Sequence, residues 1–421
     1  MAFYQSVFLI ASIILMESRL TAADQLIPHE VGLDNALIVN GIVRGSRVEA
    51  DLSSVRAVDI FHSVSVLEAD LLLSEHSLVK VVLNHESITD RHLRGLHGNA
   101  SLRHLDVSST AVNGSFLVEL SESTPRPSKL ETLILHNTHT DDSSLRALVK
   151  FPNLKILDLT GTNVTDSGLV HIESLPYLEE LKLHNTSVTA AGLKSINQIL
   201  TLRRLYISIH DAADESIAGL TNLTRLENLT YSGECTDAGL HTLRSYSQLK
   251  SFRISGNRHT LQGLRDLKRV STLESLYFQN TTIGVEYLKV LAEMPALRRL
   301  ELIDCVGVTD EAMRQIGQLS ELKHLCLRNP QITDEGGAHL RDLNNLESLA
   351  LYIAPVGDRT LHALINMRRL QELRIVGTKV TLSGLRTLFR LPRLRRLEAD
   401  LLSSATESFR KEYYNRFKDL D

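Results

Sequence analysis

The sequence has little of what stabilises small disulfide-rich domains or attracts polyanions. Its 421 residues contain no tryptophan, 5% aromatic residues and three cysteines. Cys235, Cys305 and Cys326 are too few, and too far from the ends, to form disulfide-bonded caps, so they do not indicate a redox compartment. The net charge of -4 and the pI near 6.5 give no electrostatic reason to expect nucleic acid or an anionic membrane as a partner.

No apolar run is long enough to span a membrane. Residues 7–16 form an apolar run of ten, whereas a transmembrane helix needs about 20. The small residues Thr21, Ala22 and Ala23 follow, which predicts a signal peptide over residues 1–23 and a secreted or periplasmic protein. Because the first residues lack Lys and Arg, and Glu17 and Arg19 precede the cleavage site, two alternatives stay open. These are an uncleaved apolar segment, packed on the first repeat or left as an anchor, and a cytoplasmic protein.

Motifs of common catalytic chemistry are also missing. The sequence has no G-x-S-x-G, P-loop, G-x-G-x-x-G, H-E-x-x-H or paired C-x-x-C motif. It has 17 histidines, but His136 and His184, which share a position in the repeat, are two repeats apart. That distance of roughly 10 Å is too long to ligate one ion. We therefore predict no catalytic residue, no metal site, no cofactor and no enzymatic activity.

What the sequence does have is a repeat of about 24 residues. An L-x-x-L-x-L pattern recurs through most of the chain. Its first position is always leucine, and some of its later positions hold other apolar residues. Such a period is typical of a solenoid whose units cannot bury their apolar faces alone. One longer step contains an insertion over residues 121–128. The first leucines are Leu78, Leu102, Leu130, Leu154, Leu178, Leu202, Leu226, Leu249, Leu273, Leu297, Leu322, Leu346, Leu370 and Leu394.

The repeat that begins at Leu154 shows how one unit is built. Leu157 and Leu159 alternate with outward-facing residues, which predicts a short strand. Thr165 and Asp166 then offer oxygen acceptors to the free N–H groups at a helix start. Each unit is therefore predicted to be a strand, a turn and a helix. The buried side chains of this unit are predicted to be Leu154, Leu157, Leu159, Val164, Leu169, Ile172 and Leu175.

Three polar positions recur with the leucines. The helix-capping position is held by Thr89, Asp141, Thr165, Thr189, Thr236, Thr260, Thr309, Thr333 and Thr381. A glycine that lets the helix approach its neighbour closely stands at Gly168, Gly192, Gly263, Gly336 and Gly384. A threonine whose hydroxyl can bond buried turn backbone groups stands at Thr110, Thr138, Thr162, Thr186, Thr281 and Thr378.

The pattern L-x-x-L-x-L-x-x-T-x-V-T-D-x-G-L resembles that of leucine-rich repeat proteins over residues 78–402. It is similar to the subclass common in bacterial, especially planctomycete-type, secreted repeat proteins, and to the cysteine-containing repeats of ubiquitin-ligase adaptors. The position that the adaptors fill with cysteine is cysteine once, at Cys305, which favours the bacterial type. The resemblance implies an α/β solenoid shaped as a curved horseshoe, with a parallel concave sheet, helices on the convex side and about 14–15 repeats. It implies an architecture rather than an activity.

Residues 24–77 are predicted to form an N-terminal cap and a degenerate first repeat. Asn40 and Gly41 lie between two apolar runs over residues 36–43, which predicts a tight hairpin. The degenerate repeat is indicated by Val55, Val58 and Ile60.

Residues 403–421 are predicted to form an amphipathic helix that caps the other end, with a partner-binding helix as the alternative. Capped ends favour a monomer. The residues at helical spacing that carry this prediction are Phe409, Tyr413, Phe417 and Leu420.

The outward-facing strand positions form the candidate binding surface. They include Asp158 and Glu180, both predicted to be exposed, and they interleave charges of both signs with Tyr and His. This composition suits recognition of a protein or peptide, with an ordinary solvated sheet face as the alternative. The centre of the patch is predicted to consist of Tyr206, Arg253, Tyr277 and Arg328. The candidate ligand-binding residues are His184, Arg204, Tyr206, Arg253, Tyr277, Arg299, His324, Arg328, Tyr352 and Arg374.

The predicted function is that of a non-catalytic scaffold that binds a protein or cell-envelope ligand on the concave face. The alternative is an intracellular adaptor that recruits substrates, as the resemblance to ubiquitin-ligase adaptors would imply. That alternative requires that residues 7–16 not be a signal, and no F-box-like helical module is evident over residues 1–77. A third class is an enzyme built on the array.

Overall fold

The computed structural model describes residues 77–209, 219–403 and 405–417. It also describes the strands Ala36–Val39 and Ala57–Ile60 and the single residues Leu67, Ala69, Leu73, Ser74 and Ile217. Within this part of the chain, sixteen strands form one sheet in sequence order, and neighbouring strands are parallel. The chain thus adds one strand per repeat, as the 24-residue period predicts.

The strands are short because each repeat contributes one strand to the sheet before the chain turns toward the helix side. They are β1 (Ala36–Val39), β2 (Ala57–Ile60), β3 (Lys80–Leu83), β4 (His104–Asp106), β5 (Thr132–Ile134), β6 (Ile156–Asp158), β7 (Glu180–Leu183), β8 (Arg204–Ser208), β9 (Asn228–Glu234), β10 (Ser251–Ser255), β11 (Ser275–Gln279), β12 (Arg299–Ile303), β13 (His324–Arg328), β14 (Ser348–Tyr352), β15 (Glu372–Val376) and β16 (Arg396–Ala399).

Helices connect the strands on the other side of the sheet. The α-helices are α1 (Ser115–Glu122), α2 (Asp142–Leu145), α3 (Asp166–Leu169), α4 (Leu193–Ile196), α5 (Asp237–Thr242), α6 (Leu261–Leu267), α7 (Val285–Ala292), α8 (Asp310–Ile316), α9 (Asp334–Gly337), α10 (Asp358–Leu364), α11 (Leu382–Leu388) and α12 (Glu407–Phe417). Shorter 3₁₀ segments are Asp90–Leu96, Arg146–Lys150, Leu243–Ser245, Ala338–Asp342 and Asp400–Leu402.

The predicted helix of the Leu154 repeat is shorter than the sequence indicates. The α-helix α3 ends at Leu169, although Ile172 and Leu175 are as buried as predicted. Beyond α3 the backbone continues in tighter turns, in which the N–H of Ile172 donates to the carbonyl of Leu169 and that of Leu175 to the carbonyl of Ile172. Apolar spacing therefore predicted the burial of these side chains correctly and the backbone geometry wrongly.

A single apolar core runs the length of the solenoid. Leu154, Leu157, Leu159 and Val164 are fully buried, as predicted, and equivalent residues stack on them from the neighbouring repeats. The core is continuous from Val58 to Phe409. Because each layer contacts only the layers beside it, the stability of a repeat depends on its neighbours.

At five steps of the described array, an aspartate at the first helical position ties one repeat to the next. Asp166 accepts hydrogen bonds from the backbone N–H and the hydroxyl of Thr189, at 2.8 and 2.6 Å. The Thr189 hydroxyl oxygen accepts in turn from the N–H of Ala191 at 3.2 Å, but α4 begins only at Leu193, so the predicted cap at Thr189 is wrong. The capping role is confirmed at Thr165, whose hydroxyl oxygen accepts from the N–H of Ser167 in α3. We call the contact between the carboxylate and the threonine the aspartate–threonine bridge. It joins Asp142 to Thr165, Asp166 to Thr189, Asp237 to Thr260, Asp310 to Thr333 and Asp358 to Thr381.

The recurrent glycine leaves room for the carboxylate of this bridge. A Cβ built on Gly192 would lie 2.3 Å from Oδ1 of Asp166, well inside van der Waals contact. The predicted close approach at this glycine is therefore confirmed, and its partner is the aspartate of the preceding repeat. The same clash, at 2.2 to 2.3 Å, would arise at Gly168, Gly263, Gly336 and Gly384.

The threonine ladder beyond the strands is confirmed in the N-terminal half. There each hydroxyl donates to the carbonyl three residues earlier, at 2.6 to 2.9 Å, for Thr110, Thr138, Thr162 and Thr186. Thr281 donates to the carbonyls of Gly256 and Gln279 instead. At Thr378 the prediction is wrong, because the buried hydroxyl makes no hydrogen bond with the described residues.

A second ladder follows the edge of the sheet, at the residue after the first leucine of each repeat. Its charge alternates in sign from Arg103 to Arg298. Glu131, for example, pairs with both of its neighbours, Arg103 and Lys155, and the hydrogen bond from Lys155 lowers the pKa of Glu131. This edge ladder consists of Arg103, Glu131, Lys155, Glu179, Arg203, Glu227, Lys250, Glu274, Arg298, Lys323, Glu347, Gln371 and Arg395.

Most strands are followed by a residue in the left-handed backbone region. Asn, Asp, Ser and Gly tolerate this conformation and occupy most of these positions. Ile353 is the exception, since its φ is 53° and its side chain is 54% exposed. The rim of the sheet therefore carries one strained apolar side chain. The left-handed residues are Ser109, Asn137, Gly161, Asn185, Gly256, Asn280, Asp304, Asn329, Ile353 and Gly377.

At the N-terminal end, β1 extends the parallel sheet. Ala36–Val39 pairs in parallel with Ala57–Ile60, in which Val58 and Ile60 are buried. The hairpin predicted over residues 36–43 requires a second arm beyond Gly41, and that arm lies outside the described residues. The predicted signal peptide over residues 1–23 also lies outside them.

At the C-terminal end, α12 covers the last repeat. Phe409 is fully buried, and its ring centroid lies 5.6 Å from that of Phe389. The hydroxyl of Tyr413 donates to the carbonyl of Leu397 at 2.9 Å. Arg416 donates to the carbonyl of Phe389 at 3.0 Å, so the helix satisfies backbone acceptors at the end of the array.

Within the part of the chain that the structure describes, no helix combines the length and apolar character needed to cross a membrane.

We expect Gly263→Ala to lower the free energy of unfolding by about 2 kcal/mol, because the new Cβ would lie 2.3 Å from Oδ1 of Asp237 and displace its bridge to Thr260. Gly284→Ala in the next repeat is the control, since no atom lies within 4 Å of a Cβ there. Its loss should stay below about 1 kcal/mol, the cost of alanine at a helix N-cap. Urea unfolding followed by circular dichroism measures both, and equal losses would contradict the steric role of Gly263.

Candidate functional site

The concave face of the sheet presents side chains in columns, because neighbouring strands are in register and about 4.8 Å apart. The central column combines acidic, basic and phenolic groups. From β6 to β12 it consists of Asp158, Lys182, Tyr206, Thr230, Arg253, Tyr277 and Glu301.

Cations and aromatic rings of this column contact one another. The Lys182 Nζ lies 5.6 Å from the centroid of the Tyr206 ring, and the guanidinium of Arg253 lies 5.1 Å from that of Tyr277. His184, which follows β7, packs edge-on against Tyr206 with centroids 6.2 Å apart. These five residues are called the concave cluster below. The contacts around Tyr206 and those around Tyr277 hold large side chains in defined positions before any ligand binds.

Two acidic side chains lie beneath the cluster and are buried, although the sequence predicted them to be exposed. The side chains of Asp158 and Glu180 are 9% and 7% exposed. Lys182 Nζ lies 3.3 Å from Asp158 and 3.5 Å from Glu180, and Arg204 Nε lies 2.5 Å from Glu180. The prediction of exposure was wrong because the longer cationic side chains of the next strands lie over these carboxylates.

Burial and charge act in opposite directions on the two cations. Burial acts to lower the pKa of Lys182, but the charges of Asp158 and Glu180 outweigh it and raise that pKa. Burial likewise acts to lower the pKa of Arg204, and Glu180 reverses the effect. Both side chains therefore remain cationic at neutral pH, and their charge is largely balanced within the cluster.

The phenols of the cluster are neutral hydrogen-bonding groups. Burial raises the pKa of Tyr206, with a further contribution from Glu180, and burial raises the pKa of Tyr277. Each phenol thus offers a ring face together with a hydroxyl that can donate and accept, which suits contacts with a polypeptide.

His184 is held in the neutral form. Burial, followed by the positive charge of Arg253, lowers its pKa to about 4, and Nδ1 lies 2.8 Å from the hydroxyl oxygen of Ser208. A serine beside a histidine is one element of a hydrolase site, but a base with so low a pKa is poorly suited to remove a proton near neutral pH. The pair is better understood as fixing the orientation of the imidazole next to Tyr206.

The structure separates the ten predicted binding residues into groups. His184, Arg204, Tyr206, Arg253 and Tyr277 lie together on β7 to β11 or directly after them. The remaining five lie further along the sheet and are Arg299, His324, Arg328, Tyr352 and Arg374.

Arg328 is not part of the concave cluster, although the predicted centre includes it. It lies on β13 in register with Ile303 and Tyr352, whereas Tyr277 is in register with Glu301. Its Nε lies 3.9 Å from Asp304. The structure therefore groups three of the four predicted central residues and adds Lys182 and His184 to them.

A smaller group forms around Arg374. Its guanidinium lies 3.5 Å from both Glu372 and Glu398, so the cation is shared by two carboxylates. Tyr352 lies beside it, and burial raises the pKa of this phenol. Arg299 pairs separately with Glu301 at 3.7 Å.

In the described residues, no three His, Cys, Asp or Glu side chains are arranged to hold a metal ion. The concave cluster itself contains one histidine, two cations and two phenols. These groups suit contacts with a polypeptide better than ligation of a cation.

Comparison with known proteins agrees with this architecture. Residues 54–313, more than half of the chain, match the family model described as a leucine-rich repeat region. The chain belongs to the leucine-rich repeat family. No curated protein matches the sequence of this leucine-rich repeat protein.

Solved structures similar to this leucine-rich repeat protein include two bacterial ones. One is an internalin from Listeria monocytogenes, with 21% identity over 78% of this chain and 82% of the internalin, and a TM-score of 0.42. Another is a leucine-rich repeat protein of Leptospira interrogans, with 17% identity over 88% of this chain and 90% of that one, and a TM-score of 0.49.

We expect His184 to make the folded state less stable in acid. The unfolded imidazole takes up a proton near its ordinary pKa of 6.5, whereas the folded one stays neutral down to about 4, so stability falls as the pH drops through this range. In the His184→Gln variant, the part of the acid-induced loss of stability that comes from His184 should disappear. The free energy of unfolding in urea, measured at about pH 7 and about pH 5, gives this loss for each chain. His139→Gln, at an exposed position, is the control, and equal acid sensitivity of both variants would contradict the assignment.

Proposed function

We propose that this leucine-rich repeat protein is a non-catalytic scaffold that recognises a segment of another protein through the concave cluster. The observation that carries the proposal is two neighbouring sets of contacts, in which Lys182 and His184 pack on Tyr206 and Arg253 packs on Tyr277. Tyrosine and arginine held in place by their neighbours are the residue types that dominate protein interfaces. Little side-chain freedom remains to be lost when a ligand binds.

The extent of the sheet supports a protein ligand rather than a small molecule. Sixteen strands at about 4.8 Å give a surface on the order of 70 Å long. An interface of ordinary size needs about 800 Å² from each partner, which the cluster and the strands beside it can provide. The balanced charges beneath the cluster favour a ligand that combines aromatic or apolar groups with polar ones over a strongly charged ligand.

The test is affinity capture from source-cell extract with the full chain and with the double variant Arg253→Ala, Tyr277→Ala. We expect a protein that the full chain retains and the variant loses, with its affinity weakened by at least about 2 kcal/mol, as for an interface hot spot. The matched control is Tyr177→Ala, Arg225→Ala, which removes the same residue types from exposed loop positions. Circular dichroism verifies that both variants fold.

Retention of the same proteins by all three chains would contradict recognition at the concave cluster. Loss in both variants would show that the capture depends on general charge or stability rather than on this surface.

We also propose that the protein is exported. The apolar run at residues 7–16 and the small residues Thr21, Ala22 and Ala23 support this proposal. Mass spectrometry of the protein from its source should then find a mature chain that begins near Asp24. A chain that retains residues 1–23 in the cell would contradict export by a cleaved signal.

A further inference from the structure

The last two repeats and the terminal helix are strongly basic. Residues 366–417 contain twelve Lys and Arg and five Asp and Glu, a net charge of +7. The whole chain has a net charge of -4, so the remaining residues carry -11. The two signs are thus segregated along the solenoid, with the positive charge at its C-terminal end.

Five arginines at this end are exposed. None of them forms a hydrogen bond or ion pair through its side chain with the residues that the structure describes. They lie in the loops that lead from α10 to β15 and from α11 to β16. We call them the arginine edge, which consists of Arg368, Arg369, Arg390, Arg393 and Arg395.

The repeat brings these side chains to the same edge of the sheet. Arg369 and Arg393 each precede the first leucine of their repeat, so they lie at equivalent positions one strand apart, about 4.8 Å along the solenoid. The backbone N–H of Arg395 donates to the carbonyl of Gln371 at 2.8 Å, which places it beside the preceding strand. Arginines of consecutive repeats therefore follow one another along this edge, and none of the five pairs with a carboxylate of the described residues.

In earlier repeats the cations along this edge have acidic partners. In the edge ladder, for example, Lys323 lies 3.5 Å from Glu347. Arg298, whose next ladder neighbour is also a cation, pairs with Glu321 at 3.7 Å instead. At the last step the ladder has Gln371, and Arg395 remains without an acidic partner among the described residues. Like charges at this spacing repel one another, and an external anion would relieve that repulsion.

We propose that the arginine edge binds an acidic segment of a partner polypeptide. Guanidinium groups form paired hydrogen bonds with carboxylates, and several of them along one edge match carboxylates spaced along an extended chain. The edge spans two repeats, roughly 10 Å along the solenoid. A longer polyanion or an anionic membrane would also meet the acidic repeats beside it, so a short acidic segment fits better. The edge is distinct from the concave cluster, which lies on β7 to β11.

The test is a fluorescence anisotropy titration of labelled octaglutamate with the full chain at low ionic strength. We expect binding that weakens as salt is added. The triple variant Arg369→Gln, Arg393→Gln, Arg395→Gln should bind at least about tenfold more weakly, since three exposed charge-assisted contacts are lost. The control Arg91→Gln, Arg126→Gln, Arg225→Gln removes three exposed arginines elsewhere, with the same change in net charge, and should bind within about twofold of the full chain.

Equal weakening in both variants, or no binding by the full chain, would overturn the proposal, because the effect would then not come from the arginine edge. Tighter binding of a single-stranded DNA octamer or of phosphatidylserine vesicles than of octaglutamate at the same salt would overturn the choice of a polypeptide. Both variants replace exposed side chains and should retain the circular dichroism of the full chain, which is measured alongside.

Discussion

The aspartate–threonine bridge is the side-chain contact that sets how closely neighbouring repeats pack at five steps of the solenoid. Helix starts expose N–H groups that need acceptors, and here a carboxylate from the preceding repeat accepts from the N–H and hydroxyl of the capping threonine, as Asp142 does from Thr165. The bridge requires the helices to lie close together, which explains the glycine at Gly192 and its equivalents. Where it occurs it fixes one repeat relative to the next, and the backbone pairing of the strands keeps the side chains of the concave face in columns.

The concave cluster and the arginine edge use charge in opposite ways. In the concave cluster, Asp158 and Glu180 lie beneath Lys182 and Arg204 and balance them, so affinity there would come from ring faces, hydroxyl groups and shape. At the arginine edge no carboxylate of the described residues offsets the cations, so attraction there would be long-ranged and sensitive to salt. One face suits a ligand that fits closely, and the other suits attraction of an acidic segment.

Spacing alone predicted the parallel sheet, the leucine core and most of the capping threonines, because these depend only on the recurrence of residue types. Side-chain length and local strain do not follow from recurrence. The burial of Glu180 results from the reach of Lys182 and Arg204, and so it was missed. His259 is buried at a position where most other repeats have Val or Ile. Neither of its ring nitrogens is hydrogen-bonded among the described residues, and the repeat pattern does not predict this.

Because the charges of the edge ladder alternate in sign, the number of repeats that can be added or removed at this stretch is constrained to be even. Removal of one repeat, such as that of Glu179, would place Lys155 beside Arg203 and bring two cations together, whereas removal of two consecutive repeats would restore the alternation. The unit by which this stretch of the solenoid can be lengthened or shortened without electrostatic cost is therefore a pair of repeats, although the unit of folding is a single one.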